Sequence, residues 1–207
     1  MEISNEWGVV DIYKFKLDEH EYIYNEAMKH EIESEFTVYP NWNAKVSHIV
    51  KDEIVGKSCH LFEFLINKIK KHIMHIPEFK GLSFSLPSPN EKRDIWMCIC
   101  KKGDFQYVHN HRNYFQPDYP GSCKYNYIYF VKYNPEKDAK LVVGNPKTTR
   151  AVIKPSCGDY NFKLGDEKII DAQEGDLIIF PAGLCHYVQE QLCEGPRITI
   201  VGNLFRI

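Results

Sequence analysis

From residue 92 onward the chain is cut into short apolar runs by Gly, Pro, Asn and Asp, and that rhythm leaves few folds open. Eight runs read as strands: Asp94 to Cys100, Phe105 to Val108, Lys124 to Lys132, Lys140 to Val143, Lys168 to Asp171, Asp176 to Phe180, His186 to Gln189 and Arg197 to Leu204. Eight short strands with turn punctuation predict a sandwich or a jelly-roll barrel. There is no repeat and no low-complexity tract.

The amino-terminal part has a different texture. Val9 to Phe15 alternates as a strand does, and Asp18 to Ser34 is charged with sparse apolar positions, as a surface helix would be. From Ser58 to Ile76, apolar Leu61, Phe62, Leu65, Ile66, Ile69, Ile73 and Ile76 recur at three and four residues, with Lys68, Lys70, Lys71 and His72 opposite. Pro77 marks the end of that amphipathic helix. The expected architecture is a mainly β (α+β) single domain, in which residues 1–91 support one sheet of a β core formed by residues 92–207. At 207 residues the chain is long enough for one well-buried domain and short for two.

Charge narrows the partners. With 26 basic against 28 acidic residues the chain has no electrostatic footprint for phosphate backbones, so nucleic acid is not an expected partner. The tripeptide His109-Asn110-His111 spells a nuclease name but has no basic groove around it. Seven cysteines are an odd number without a Cys-x-x-Cys pair. With no secretory signal and no apolar run of about 18 residues, they predict a reduced, cytoplasmic protein that does not enter a membrane. Cys98 and Cys100 share a strand face and read as two small apolar core residues rather than a soft-metal site.

Three histidines carry the chemistry. On an extended segment, residues two apart project from one face, so His109 and His111 aim at one ion while a distant strand supplies His186. Three imidazoles suit iron, zinc, copper or nickel, and a site closed on one side leaves positions for a substrate or oxygen. His72 and His75, three apart on the basic end of the long helix, read as solvated, and His20, His30, His48 and His60 have no partner at ligand spacing. Arg197 follows His186 by eleven residues, through a turn at Glu194-Gly195-Pro196. That returns a planar fork of donors to the same cavity, the preferred partner for a carboxylate. Thr199, two residues on, adds a hydroxyl on the same face.

In this order His-x-His, Gly175-Asp176-Leu177-Ile178-Ile179-Phe180-Pro181, Leu184-Cys185-His186, Arg197-Ile198-Thr199 and Asn203 resemble the iron(II)- and 2-oxoglutarate-dependent oxygenases. The chain is similar in particular to a type common in phages and marine bacteria, with Gly103-Asp104-Phe105-Gln106 before the first histidine. The resemblance covers roughly residues 92 to 207. It implies a double-stranded β-helix core and a dioxygenase that hydroxylates a C–H bond of an unidentified substrate, releasing succinate and CO2. Fe(II) would be held by His109, His111 and His186, with 2-oxoglutarate bound by Arg197, Thr199 and Asn126, and with O2 as co-reactant in the cytoplasm, the host's if the source is viral.

Most of the superfamily has an acid where this chain has His111, so Asp118 or Asp104 stands as an alternative third ligand. The family pattern also places Asn126, Ile128 and Phe130 inward, with Phe130 where relatives often carry a Tyr; a register one residue off would turn Tyr127 and Tyr129 inward instead. Substrate choice would fall to loops at the barrel mouth, at 112–123 and 145–166. Two rival readings keep the barrel: a cupin-like metal-binding or virion-associated structural protein without turnover, and a three-histidine thiol dioxygenase.

Overall fold

The computed structural model describes residues 1–33, 44–45, 48–51, 60–84, 94–111, 122–153 and 160–206. Before residue 92 these comprise strands β1 (Glu2–Glu6) and β2 (Val10–Lys16), helix α1 (His20–Glu33), the short strands β3 (Ala44–Lys45) and β4 (His48–Lys51), helix α2 (His60–Ile73) and β5 (Leu82–Ser83). After it come β6 (Ile95–Cys100), β7 (Phe105–His109), β8 (Cys123–Lys132), β9 (Leu141–Gly144), β10 (Arg150–Ile153) and β11 (Tyr160–Lys163). The chain ends with β12 (Glu167–Ile169), β13 (Asp176–Pro181), β14 (His186–Val188) and β15 (Arg197–Arg206).

Two antiparallel sheets face one another. The larger runs β1-β2-β13-β8-β15-β6-β4 with β5 against β15, and the smaller runs β12-β9-β14-β7-β3. All eight strands anticipated from the turn rhythm are present, and the mainly β, jelly-roll expectation agrees with this arrangement. The large sheet also reaches back before residue 92, because β2 pairs with β13 (Ile178 against Lys14). One segment differs from expectation. Residues 145–166, read as a loop, contain the antiparallel strand pair β10-β11, with Arg150 opposite Lys163.

Both faces of the large sheet are covered, which explains the continuous apolar run Leu177-Ile178-Ile179-Phe180 in β13. Its alternate residues serve different cores. Leu177 and Ile179 join Tyr127, Tyr129 and Val131 of β8 in a layer under the helices, with Ile23, Ala27, Phe62, Leu65 and Ile69. Ile178 and Phe180 join Ile128 and Phe130 between the two sheets, with Leu141, Val143 and Val188 from the smaller one. The inward register expected for Ile128 and Phe130 follows from this parity. No described helix is long and apolar enough to cross a membrane.

The turn before β13 fixes where that strand begins. Gly175 holds φ +82°, a conformation costly for any residue with a Cβ. Next to it the buried Asp176 carboxylate accepts the Gln173 N–H and lies 3.4 Å from both Lys14 and Lys16.

Helix α2 therefore stands on packing rather than on propensity, with six buried residues along one stripe. Leu65→Ala, which empties a fully buried site in that layer, is expected to lower stability by about 2–5 kcal/mol, read from the urea midpoint. A loss below about 0.5 kcal/mol would show that the helix does not cover the sheet.

Candidate metal centre and adjoining cavity

β7 ends on His109 and β14 begins on His186, and the two strands pair with these residues opposite each other. His111 lies just beyond β7, where its backbone N–H donates to the Ala182 carbonyl at 2.9 Å and keeps the chain beside the end of β13. The three rings converge, with centroids 4.2 Å (His109 and His186), 5.2 Å (His109 and His111) and 5.4 Å (His111 and His186) apart. One nitrogen of each lies within 4.8 Å of the others, and this trio is the metal-capable group of His, Cys, Asp or Glu among the described residues.

Hydrogen bonds orient each ring from behind. The Nδ1–H of His109 donates to the Tyr107 carbonyl (2.8 Å) and that of His186 to the Leu184 carbonyl (2.9 Å), in each case the residue two before it. Nδ1 of His111 lies 2.9 Å from Asn203 Oδ1. With Nδ1 occupied in all three, the Nε2 lone pairs are left for an ion. Phe180 meets His186 edge-on at 4.9 Å, and Trp96 stacks on His111 at 16°. Burial, first of all, pushes the imidazoles toward their neutral forms: His109 down to about 4, with the charge of His111 adding, His111 in the same direction, and His186 well below its ordinary value. Neutral rings are the form that binds a metal.

The cavity beside the histidines is walled by two paired strands. On β6 the alternate residues Trp96, Cys98 and Cys100 face it, and on β15 Arg197, Thr199 and Val201 do so. The register sets Arg197 against Cys100, Thr199 against Cys98 and Val201 against Trp96. The free space is about 480 Å³ out to the open mouth, but the centre of a water molecule can move through only about 30 Å³ of it. It is a narrow slot, suited to a slender ligand.

Arg197 is 2% exposed, and its guanidinium carbon lies 5.4 Å from the Phe130 ring and 5.8 Å from that of Tyr133. Among the described residues no carboxylate lies within ion-pair distance of it, and its Nε has no hydrogen-bond partner. A buried cation held between rings, without a counter-charge, is costly unless an anion completes it. Three neutral imidazoles and a guanidinium without a counter-charge among the described residues, on one slot, fit a divalent metal plus a small carboxylate.

The structure brings His109, His111, His186, Arg197 and Thr199 to this one cavity. Asn126 is placed elsewhere: buried behind His111, its Nδ2 lies 2.5 Å from His111 Nδ1 and also donates to Asn203 Oδ1. Of the alternative third ligands, Asp104 is turned into a tight turn, where its carboxylate accepts the Lys101 N–H at 2.8 Å. Asp118, and with it Tyr114, Phe115 and Tyr119, lies outside the described residues. Trp96, Cys98 and Cys100 were legible only as core. The signal that would have found them is their alternation opposite Arg197 and Thr199.

A family model described as "Putative 2OG-Fe(II) oxygenase" matches residues 94–203, more than half of the chain. No curated protein matches significantly. Among solved structures, a Pseudomonas putida prolyl-4-hydroxylase superposes with a TM-score of 0.61 at 14% identity, covering 98% of this chain and 96% of that one. The epimerase SnoN, in complex with Fe3+, alpha ketoglutarate and nogalamycin RO, gives 0.64 at 13% identity, covering 94% and 78%. HygX from Streptomyces hygroscopicus, with nickel and 2-oxoglutarate bound, gives 0.61 at 11% identity, covering 94% and 82%. At these identities the likeness is one of fold.

The neutral histidines have a measurable consequence. Unfolded, these rings take up protons as pH falls through about 6.5, whereas folded His109 does so only near 4, and burial holds His186 well below its ordinary value too. Their contribution is fully present above pH 6.5 and is lost as pH falls toward 4, since the unfolded chain then binds more protons. The Tm of metal-free protein is expected to drop between pH 6.5 and 4.5, with a shallower slope in His109→Gln. A flat Tm across that window would mean the rings are solvated.

Proposed function

The chain belongs to the 2OG-Fe(II) oxygenase family, and from that membership we propose that it is a dioxygenase that hydroxylates a C–H bond of its substrate, with release of succinate and CO2. The observation that carries this reading is the buried Arg197, with no carboxylate partner among the described residues, on the same slot as three convergent histidines.

When bound, iron(II) and 2-oxoglutarate supply the redox chemistry: O2 and 2-oxoglutarate are consumed, succinate and CO2 leave, and a substrate C–H becomes C–OH. The protein's own part is positional and electrostatic. His109, His111 and His186 present neutral Nε2 atoms to the metal, each ring held by its Nδ1 side. Arg197 receives the carboxylate of the cosubstrate remote from the metal, and Thr199, buried beside it on β15, donates its hydroxyl to the same group. Phe130 and Tyr133 shield the guanidinium from water, so that its charge acts at full strength across the slot. Phe130 brings no hydroxyl of its own, which puts the weight of anion recognition on Arg197 and Thr199. Asn126 acts through His111 rather than on the cosubstrate.

Three imidazoles leave the ligand set without the negative charge that a carboxylate ligand would bring. The metal therefore stays one unit more positive toward the chelating keto acid. Solved structures of this fold include an epimerase as well as prolyl hydroxylases, so hydroxylation is read from products, not from architecture.

Anaerobic addition of Fe(II) and then 2-oxoglutarate is expected to give a visible metal-to-ligand charge-transfer band, and O2 is expected to convert 2-oxoglutarate to succinate. Absence of both sinks the assignment, and a band without succinate would indicate a barrel that binds without turnover. Arg197→Ala should keep Fe(II) binding while raising the Kd for 2-oxoglutarate roughly 10- to 100-fold, the scale of a lost charge-assisted hydrogen-bond pair. An unchanged Kd would mean the anchor has been misplaced.

A further inference from the structure

Behind His111 lies a chain of side chains that the metal-binding role by itself does not require. Asp94 stands at the start of β6, one residue before Ile95, and Asn203 lies on β15. The two are clamped twice: the Asn203 backbone N–H donates to the Asp94 carbonyl at 3.1 Å, and Asn203 Nδ2 donates to the Asp94 carboxylate at 2.5 Å. Gly202 makes the approach possible, since a Cβ there would meet the Asp94 carbonyl oxygen at 2.8 Å and the Tyr127 hydroxyl at 2.2 Å. On the inner side, Asn203 Oδ1 faces His111 Nδ1 at 2.9 Å and accepts from Asn126 Nδ2. Asn126 Oδ1 is buried and has no hydrogen-bond partner among the described residues.

We propose that Asp94 and Asn203 are positioning residues that set the tautomer and orientation of His111, so that the chain's third imidazole presents a lone pair to the metal. The inference rests on His111 being a metal ligand. Amide ends and imidazole tautomers are decided by their partners, and here the network has one fixed end. A carboxylate only accepts, so the Asn203 amide must turn Nδ2 to Asp94 and Oδ1 to His111. Two groups meet Nδ1, the Asn203 oxygen at 2.9 Å and Asn126 Nδ2 at 2.5 Å. With the Asn203 oxygen fixed by Asp94 and already accepting from Asn126, we place the ring proton on Nδ1, shared toward that oxygen, which leaves Nε2 unprotonated. Without Asp94 the Asn203 amide is free to invert. Its NH2 would then face Nδ1, favouring the Nε2–H tautomer, which cannot bind a metal.

The same chain explains how His111 serves where an acid would otherwise be the ligand. A carboxylate remains in the line but stands one amide removed, withdrawing the Nδ1 proton and raising the basicity of Nε2. His109 and His186 lean on backbone carbonyls, whose direction the strands fix. His111, beyond the end of β7, uses a side-chain relay instead.

The wild-type protein offers the first test. A long-range 1H–15N spectrum of the imidazoles should show His111 protonated at Nδ1 in the metal-free and Zn(II)-loaded forms; Nε2–H in the metal-free form overturns the proposal. Co(II) binding, followed by d–d absorption and competition, gives the second, without 2-oxoglutarate or turnover. Asp94→Asn is expected to weaken Co(II) about 10- to 100-fold. The exchange Asp94→Asn with Asn203→Asp restores an acceptor toward His111 and a donor toward it from position 94, and should recover most of the loss. Undiminished Co(II) affinity in Asp94→Asn, or an exchange variant that is folded yet no tighter than the single variant, overturns the relay. His111→Ala separates the two readings: if it leaves Co(II) binding intact, the ligand assignment itself has failed, whereas a large loss there with none in Asp94→Asn refutes the relay alone.

Discussion

The arrangement depends on one sheet being buried on both faces. Because β8, β13 and β15 lie between the helices and the smaller sheet, every residue in them must answer to one of two interiors. The pleat then sorts them by parity. Tyr127 and Tyr129 go to the helices, Ile128 and Phe130 to the space between the sheets. A slip of one residue would exchange the two sets and empty both layers. That penalty is what holds Arg197, Thr199 and Val201 on the cavity side of β15, opposite Cys100, Cys98 and Trp96 of β6. The register of the core and the geometry of the slot are one constraint.

The smaller sheet adds the histidines by a separate route. β7 and β14 are short, five and three residues, and contribute little to the core. Their pairing is irregular between His186 and Val188. A site on short, irregular strands needs local fixing, which accounts for each ring having its own acceptor. Phe180, the last buried residue of β13, reaches from the large sheet to the face of the small one and touches His186, so the two sheets are joined at the site by packing as well as by the cavity walls.

Much of this could be read from the chain because its signals are local. The i, i+2 spacing of His109 and His111 survives in any extended conformation, and the apolar stripe from Leu61 to Ile73 needs only a helix to make sense of it. What could not be read depends on register between distant strands. Cys98 and Cys100 look identical as core residues or as cavity wall until β15 is laid beside β6. Asn126 is two residues from Ile128 and shares its parity, and the family pattern placed both inward; at Asn126 that side is taken up by His111 and Asn203. The β10-β11 pair was hidden in a stretch whose Gly, Pro and Asn content reads as loop. Asp94 gave no signal, since its partner is 109 residues away.

Charge ties these pieces together. In the proposed complex the slot holds a divalent metal and Arg197, three positive charges, against the two negative charges of 2-oxoglutarate. Low-dielectric surroundings make an uncompensated unit expensive, and an acid ligand would cancel it at the metal. Here the three ligands are neutral, and the nearest carboxylate in the relay is that of Asp94, behind Asn203. Set outward by one amide, it polarises the hydrogen-bond chain toward the site without occupying the metal. In that complex the metal keeps a stronger pull on the keto acid. On this view His111 and Asp94 are not independent features of the sequence: the two are joined through Asn203 in one line of hydrogen bonds.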